Sequence, residues 1–338
     1  MQPPVSIVVP TYNSGHCVGA CIESAAGALG TCEVIVADNG SADSTVAVAE
    51  AHRIPDCSVK VVQLGRNAGF GAAANAGVAI SAGRLIIVVN PDVRLFAPAD
   101  IDIAAVATVA TGLYGIELRV GVAGGREHHR ERPWWWECGR HVSMPFWPRE
   151  ISTRGAELPV GPIWVGGAAL MLRKSEFERL GGFDERFFMY SEDRDLSRRY
   201  RAAGLPVNVT TLLGGTHEHG KSSEGSSGAA PTRIAYSLLG WVEYVALTAG
   251  RAAGRRAAES RIRGTNAIAS GLAILGRRCP DTRLDAKVEE IGTLCEYLGQ
   301  WSSGTLPDVD PLSDETYYPL AREALRALTR HHPDALCR

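Results

Sequence analysis

The sequence predicts an α/β fold: a mostly parallel central sheet over residues 1–228, followed by a helical C-terminal region over 229–338. Three observations predict it. Short β-favouring runs alternate with helix-length stretches across the first ninety residues, the pattern of right-handed βαβ crossovers. The run Leu85-Ile86-Ile87-Val88-Val89 is apolar at every position, as in a strand buried on both faces. After Pro231 the composition shifts to Ala, Leu and Arg with helical spacing, as in Tyr236, Leu239, Val242, Val245 and Ala246.

In order, the pattern predicts a strand at Val5–Val9, a helix near 18–29, a strand at Glu33–Ala37 and a helix near 41–52 with Ser41-Ala42-Asp43 at its start. A strand at Val59–Leu64, a helix near 71–82 and the Leu85–Val89 strand follow. Pro91 cannot donate to a ladder, so that strand stops there. From Ala97 to Pro162 the pattern loosens into one or two strands and a long insertion carrying Trp134-Trp135-Trp136. Order returns at Ile163–Leu172, then a turn at Gly181-Gly182 and a helix from about Ser191 to Ala203, which Gly204 ends. The Gly- and Ser-rich stretch Gly214–Gly228 reads as a flexible lid or linker. Helices then run to about Leu328, broken near Gly254, Pro280, Pro307 and Pro311.

The length of 338 residues suits a large domain with an appendage. A net charge of −2 with interspersed signs argues against nucleic acid as a partner. The eight cysteines form no CxxC pair, so neither a zinc knuckle nor a disulfide frame is indicated. Met1-Gln2-Pro3-Pro4 runs straight into a strand without a basic and apolar leader. No apolar segment reaches the roughly 20 residues that span a bilayer. The expectation is a cytoplasmic protein.

Candidate functional residues fall at the ends of the predicted strands, where α/β sheets bind ligands. Pro10-Thr11-Tyr12-Asn13 offers a hydroxyl, an aromatic face and an amide to a base and ribose, or makes an ordinary βα turn. Asp38 offers an acceptor to a base N–H or a ribose hydroxyl, beside the turn Asn39-Gly40. In Gly65-Arg66-Asn67-Ala68-Gly69-Phe70-Gly71 the glycines permit close backbone approach and the next helix points its N-terminus at the loop. A tight turn explains that loop equally well. Asn90-Pro91-Asp92 ends the buried strand on a carboxylate that can hold a divalent cation against a phosphate, or simply form a turn.

Further along, Phe187-Phe188-Met189-Tyr190 runs directly into Ser191-Glu192-Asp193-Arg194-Asp195. Apolar walls raise a carboxylate's pKa, as a general base needs, although acids also favour the first turn of a helix. In Thr216-His217-Glu218-His219-Gly220-Lys221, His217 can complete the coordination of a metal held by Asp92, and Lys221 can meet a phosphate.

Taken together, Val5–Asn13, Val36–Ser41, Asn67–Phe70, Asn90–Asp92, Gly166-Gly167-Ala168, Gly182–Glu185 and Tyr190–Leu196 closely resemble the inverting family 2 glycosyltransferases of the GT-A fold, especially the bacterial rhamnosyltransferase-like branch. The likeness covers roughly residues 4 to 225. It implies a GT-A nucleotide-diphospho-sugar transferase that passes a sugar from a nucleoside diphosphate donor to a hydroxyl of a saccharide, lipid-linked saccharide or natural-product acceptor, with inversion. It implies Mg²⁺ or Mn²⁺ as cofactor, held by Asp92 and His217. By position, Asp193 of the Glu192-Asp193 pair becomes the base. Pro10, Thr11, Tyr12, Asn13, Asp38, Asn67, Gly69, Phe70, Asn90, Asp92, Gly167 and Lys221 become donor-site residues.

The first-choice donor is dTDP-rhamnose; UDP-hexoses, UDP-galactofuranose and GDP-sugars stay open. One departure is Asn90, where many relatives carry an acid. The helical region offers a surface for homodimerisation or for peripheral contact with the inner face of the membrane, as do Trp134–Trp136. A nucleotidyltransferase would show a basic, glycine-rich loop where Pro10–Gly15 has none. A non-catalytic sugar-nucleotide or glycan-binding protein is the other alternative.

Overall fold

The computed structural model describes residues 4–98, 101–120, 129–130, 162–217 and 229–262. Residues 4–98, 101–120 and 163–217 belong to one compact unit, and residues 230–262 to another. Lys221 and Trp134–Trp136 lie outside the described residues.

The first unit follows the predicted alternation: β1 (Val5–Thr11), α1 (Val18–Leu29), β2 (Cys32–Asp38), α2 (Thr45–Ala51), β3 (Cys57–Gln63), α3 (Phe70–Ile80) and β4 (Leu85–Val89). Then come β5 (Val93–Phe96), α4 (Ile103–Val109), β6 (Leu113–Val120), β7 (His129–Arg130), β8 (Ile163–Trp164), β9 (Ala169–Arg173), α5 (Lys174–Arg179), α6 (Glu192–Ala202) and β10 (Val207–His217). Eight strands make one sheet in the order β3-β2-β1-β4-β9-β6-β10-β5, while β7 and β8 pair separately. Neighbours β3, β2, β1 and β4 are parallel, as are β6 and β10. Because β9 is antiparallel to β4 and β6, and β5 to β10, only those two strands of the sheet run against the rest.

Alternation along the central strands sorts the core into two faces. Val5, Ile7 and Val9 of β1 and Leu85, Ile87 and Val89 of β4 pack with Val18, Cys21, Ile22 and Ala25 of α1 and Ile103 and Ala107 of α4. Val8, Ile86 and Val88 face the other way, onto Ala74 and Val78 of α3, Phe177 of α5 and Leu196 and Tyr200 of α6. Each fully buried Val, Leu or Ile contributes about 1.5–3 kcal/mol, so both helical layers are clamped to β1 and β4.

Three elements depart from the sequence reading. Helix α2 starts at Thr45 rather than near Ser41, because residues 40–43 spend their polar groups on loop hydrogen bonds described below. After Pro91 the chain returns to the sheet as β5, at its far edge. Gly214 and Gly215, read as the start of a lid, lie within β10 and pair with β5 and β6. Between Thr210 and Gly214 β10 advances four residues while β6 advances one, from Ile116 to Glu117. This bulge offsets the two strands.

In the second unit, α7 (Ala229–Ala249) is followed by helical residues 251–262. The break falls at Gly250, whose φ is +89°, and Gly254 lies inside the following helix. Trp241, Val242 and Val245 pack with Ala253, Ala257 and Ala258, and the Arg261 guanidinium lies 4.5 Å from the Trp241 ring centroid. Among the described residues no helix is long and apolar enough to cross a membrane.

Candidate functional site

Since β1, β2, β4 and β10 share one direction, their carboxyl ends deliver Thr11, Asp38, Asn90 and His217 to one edge of the sheet. At the β1 and β2 exits the loops are laced by their own side chains. Asp38 is 1% exposed; its Oδ1 accepts from Thr11 Oγ1 at 3.1 Å and Ser41 Oγ at 2.5 Å. Its Oδ2 accepts the main-chain N–H of Gly40 at 3.1 Å and of Ser41 at 2.9 Å. Four donors fill the positions a carboxylate offers, so Asp38 organises this loop. Asn13, at φ +51°, accepts from Ala42 N through Oδ1 at 2.9 Å, while its own N–H reaches Ser41 Oγ at 2.8 Å. Pro10 and Thr11 are buried in β1, and Tyr12 is half-buried.

Asn39, read from sequence only as a turn residue, is a connector. Its Nδ2 donates to Gly69 O at 3.2 Å and its Oδ1 accepts Ala68 N at 3.1 Å, fastening the β2 exit to the β3–α3 loop. Asn67 Oδ1 closes that loop by accepting Gly69 N at 3.1 Å. Gly69 has φ +93°, and a Cβ there would lie 2.3 Å from Phe188 O. Phe70 N donates to the same carbonyl at 3.0 Å. The glycine is required by both its backbone and its neighbour. The loop therefore docks on the segment that leads into α6.

Beyond β4, Asn90 N donates to Ala168 O at 2.9 Å, and Gly167 N donates to Asp193 Oδ2 at 2.8 Å. Two adjacent residues thus tie the Asn90–Asp92 turn to the carboxylate that opens α6. The same face of α6 continues down β8: Ser197 Oγ accepts Val165 N at 3.2 Å, and Arg201 NH1 donates to Ile163 O at 2.5 Å. Residues 193, 197 and 201 recur at helical spacing against 167, 165 and 163 at strand spacing. Trp164, between two of these rungs, has the Arg194 guanidinium 5.9 Å from its ring centroid. The sequence reading missed Trp164; its place just ahead of Gly166-Gly167 was the available cue.

Asp193 is half-buried, and Arg194 N also donates to its Oδ1 at 2.7 Å. Burial pushes its pKa up to about 6, against the pull of the Gly167 and Arg194 N–H groups and the Arg194 charge. The Phe70 ring helps wall it, since a Cβ on Gly167 would lie 3.5 Å from Phe70 Cε1 and 3.6 Å from Asp193 Cβ. Glu192 is 5% exposed, and its Oε2 has no hydrogen-bond partner among the described residues. Burial, and then the charge of Asp193, raise its pKa well above the usual carboxylate range. The charge of Asp193 thus opposes ionisation of Glu192. Asp195, fully buried, is paired with Arg198 at 2.7 Å and Arg199 at 2.6 Å, and holds the helix rather than facing a ligand.

Asp92 and His217 meet: His217 Nε2 stands 3.2 Å from Asp92 Oδ1, with the residues 1% and 7% exposed. The antiparallel pairing that sets His217 opposite Val93 brings them together. A buried carboxylate oxygen facing an imidazole nitrogen is a donor set that suits Mn²⁺ and tolerates Mg²⁺. Among the described residues no cluster of three or more such ligands occurs.

The family model described as glycosyl transferase family 2 matches residues 6–174. The N-acetylglucosaminyl-diphospho-decaprenol L-rhamnosyltransferase of Mycobacterium tuberculosis (strain CDC 1551 / Oshkosh) is 36% identical over 195 residues, 51% of this chain and 61% of that protein. The chain thus matches less than two thirds of that relative's length. The rhamnosyltransferase WbbL of Escherichia coli (strain K12) is 37% identical over 54 residues, 16% of this chain and 20% of that protein. Among solved structures, GalNAc-T7 with UDP, GalNAc and Mn2+ aligns with a TM-score of 0.51 at 17% identity, over 72% of this chain and 48% of that one. This last likeness is one of fold.

Proposed function

The chain belongs to glycosyl transferase family 2, and from that membership we propose that it transfers rhamnose, with inversion, from dTDP-rhamnose to a hydroxyl of a lipid-linked saccharide. Two relatives named as rhamnosyltransferases support the sugar. The diphospho-decaprenol in the name of the first supports a lipid-linked acceptor.

The observation that carries the reading is the bridge through Gly167 and Ala168, which joins the Asn90–Asp92 turn to Asp193. Inverting transfer needs a leaving diphosphate on one side of the sugar and a base on the other. Asp193, half-buried and pushed up to about 6, takes the proton of the acceptor hydroxyl as its oxygen attacks the anomeric carbon. The two N–H groups on its carboxylate fix its direction. Tyr12 and the laced loop around Asp38 receive the nucleoside, and the Asn67–Phe70 loop approaches the donor through its backbone. Asp92 and His217 would hold Mg²⁺ or Mn²⁺ together with the donor phosphates. When bound, the cation supplies positive charge against the departing diphosphate.

The test is a thermal-shift screen of dTDP, UDP and GDP with and without Mn²⁺, followed by incubation with dTDP-rhamnose and a short-chain polyprenyl-diphospho-N-acetylglucosamine. Selective stabilisation by dTDP and a product heavier by one deoxyhexose are expected. Stabilisation by UDP or GDP alone would replace the donor. Nucleotide binding without release of free nucleoside diphosphate would make the chain a non-catalytic binding protein.

A further inference from the structure

Two cysteines that stand 25 positions apart in the chain meet at the edge of the sheet. Cys32 opens β2 and Cys57 opens β3, and the register of these parallel strands sets the two directly opposite one another. Residues in register share a face, and the Cys32 S–H donates to Cys57 Sγ at 3.1 Å. Both are free thiols. The backbone holds them in place: Cys32 N donates to Asp56 O at 3.3 Å, and Cys57 N to Ile54 O at 3.3 Å.

Neighbouring strands lie about 4.7–4.9 Å apart, inside the range of roughly 4.4–6.8 Å between α-carbons that a disulfide requires. The sulfurs need to approach by only about 1 Å to reach bonded length, with no change of register. Cys17 and Cys21, one helical turn apart on α1, differ in this respect, since their sulfurs point at the carbonyls of Ser14 and Asn90. Burial pushes the Cys21 thiol up to about 12, so it stays protonated and inert. At Cys57 the hydrogen bond from Cys32 pulls the pKa below the ordinary thiol value, which makes it the better nucleophile of the pair. Cys57 is 9% exposed, between the exposed residues Asp56 and Ser58 of an edge strand. A small oxidant can reach it there.

We propose that Cys32 and Cys57 are a peroxide-sensitive thiol pair that closes to a disulfide and staples the edge strand β3 to β2. The Cys57 thiolate attacks one oxygen of hydrogen peroxide, and the O–O bond breaks to leave a sulfenic acid and hydroxide, which takes up the proton Cys57 gave up. Cys32 Sγ then attacks the Cys57 sulfur; the S–S bond forms, the S–O bond breaks, and water leaves with the Cys32 proton. Two thiols and one peroxide thus give one disulfide and two waters, the two electrons passing from sulfur to peroxide. A dithiol reverses the change by thiol–disulfide exchange. The loop so closed carries Asp38, Asn39 and α2, and cross-linking its ends removes conformational freedom from the unfolded chain. The inference stands apart from the transfer reading and does not depend on it.

The experiment treats the reduced full-length chain with hydrogen peroxide, alkylates the remaining thiols, and digests with trypsin and a glutamate-specific protease. These cuts separate Cys32, in 24–33, from Cys17 and Cys21, in 1–23, and place Cys57 in 54–60. Peptide 24–33 joined to 54–60, two hydrogens lighter than their sum, is expected, and dithiothreitol should release both. The unfolding midpoint of the oxidised protein should rise by on the order of 5 °C over the reduced one, and the rise should be missing from Cys57→Ser. Recovery of both peptides alkylated after peroxide overturns the inference, as does Cys57 carried on to a sulfinic acid while Cys32 stays a thiol. A link that forms without raising the midpoint, or an equal rise in Cys57→Ser, overturns the staple. Should Cys57→Ser fail to fold, the wild-type peptide map decides the bridge, and the wild-type midpoint before and after dithiothreitol decides the staple.

Discussion

The main-chain N–H of Gly167 donates to Asp193 Oδ2 at 2.8 Å, so the direction of the carboxylate is set by a strand-to-strand turn together with the Arg194 N–H of its own helix. Removing the carboxylate while keeping its shape isolates its chemistry. Asp193→Asn should lower transfer by about 10²–10⁴-fold, the range of general-base assistance, with the donor-induced thermal shift retained. Steady-state rates and thermal shift on the same preparation check this.

A base must be ionised to accept a proton, and burial pushes the Asp193 pKa up to about 6. The rate of transfer at subsaturating acceptor should therefore fall tenfold per unit below about pH 6 and level off above it. A profile flat down to pH 4.5 would remove Asp193 as the base.

Glu192 makes the opposite demand on the fold. Its folded pKa lies above the ordinary carboxylate value, so ionising it works against folding. The penalty is fully present above the folded pKa and vanishes below the unfolded one, near pH 4. Glu192→Gln should raise the unfolding midpoint relative to wild type at pH 8, with the difference shrinking toward zero at pH 4. Urea unfolding at the two pH values reads the effect directly.

At Gly69 the demand is steric. An alanine would hold φ +93° and bring its Cβ to 2.3 Å from Phe188 O. Backbone strain and overpacking together should cost roughly 2–4 kcal/mol, visible as a lower denaturation midpoint. A neutral Gly69→Ala would mean that the loop and the approach to α6 are not docked.

Asp92 and His217 are expected to act as a pair. Asp92→Asn and His217→Ala should each raise the Mn²⁺ concentration giving half-maximal transfer, and the double variant should go little further than the worse single one, since the two share one site. Chelator titration of wild type supplies the reference. Activity indifferent to chelator would remove the cation from the reaction.

Much of the first half of the fold could be read from residue patterns, because βαβ units leave long runs of unmixed periodicity. The five apolar residues of β4 and the alternation before them need no distant partner to be recognised. The return of β5 and the true extent of β10 were not legible. Pro91 marks the end of a strand but says nothing of a four-residue strand two positions later. Gly214 and Gly215 read as slack chain, yet a Cβ at the first would lie 2.5 Å from the Phe96 ring and one at the second 2.6 Å from Leu118. They are glycine because side chains cross them. The candidate site divides in the same way: acids and histidine announce themselves by type, whereas Gly166-Gly167-Ala168 was marked by resemblance alone, and nothing in those residue types tells that the Gly167 N–H and the Ala168 carbonyl are the groups that bind.

The offset in β10 has a consequence for chain length. Three residues of β10 between Thr210 and Gly214 have no counterpart on β6, so the alternation of side chains is interrupted there, and the facing of His217 is set beyond the offset by its pairing with Val93 and Val120. The offset is thus a place where extra chain is taken up without turning His217 away from Asp92. Related chains that keep the Asp92–His217 pair should tolerate differences of length in this stretch better than between Gly214 and His217.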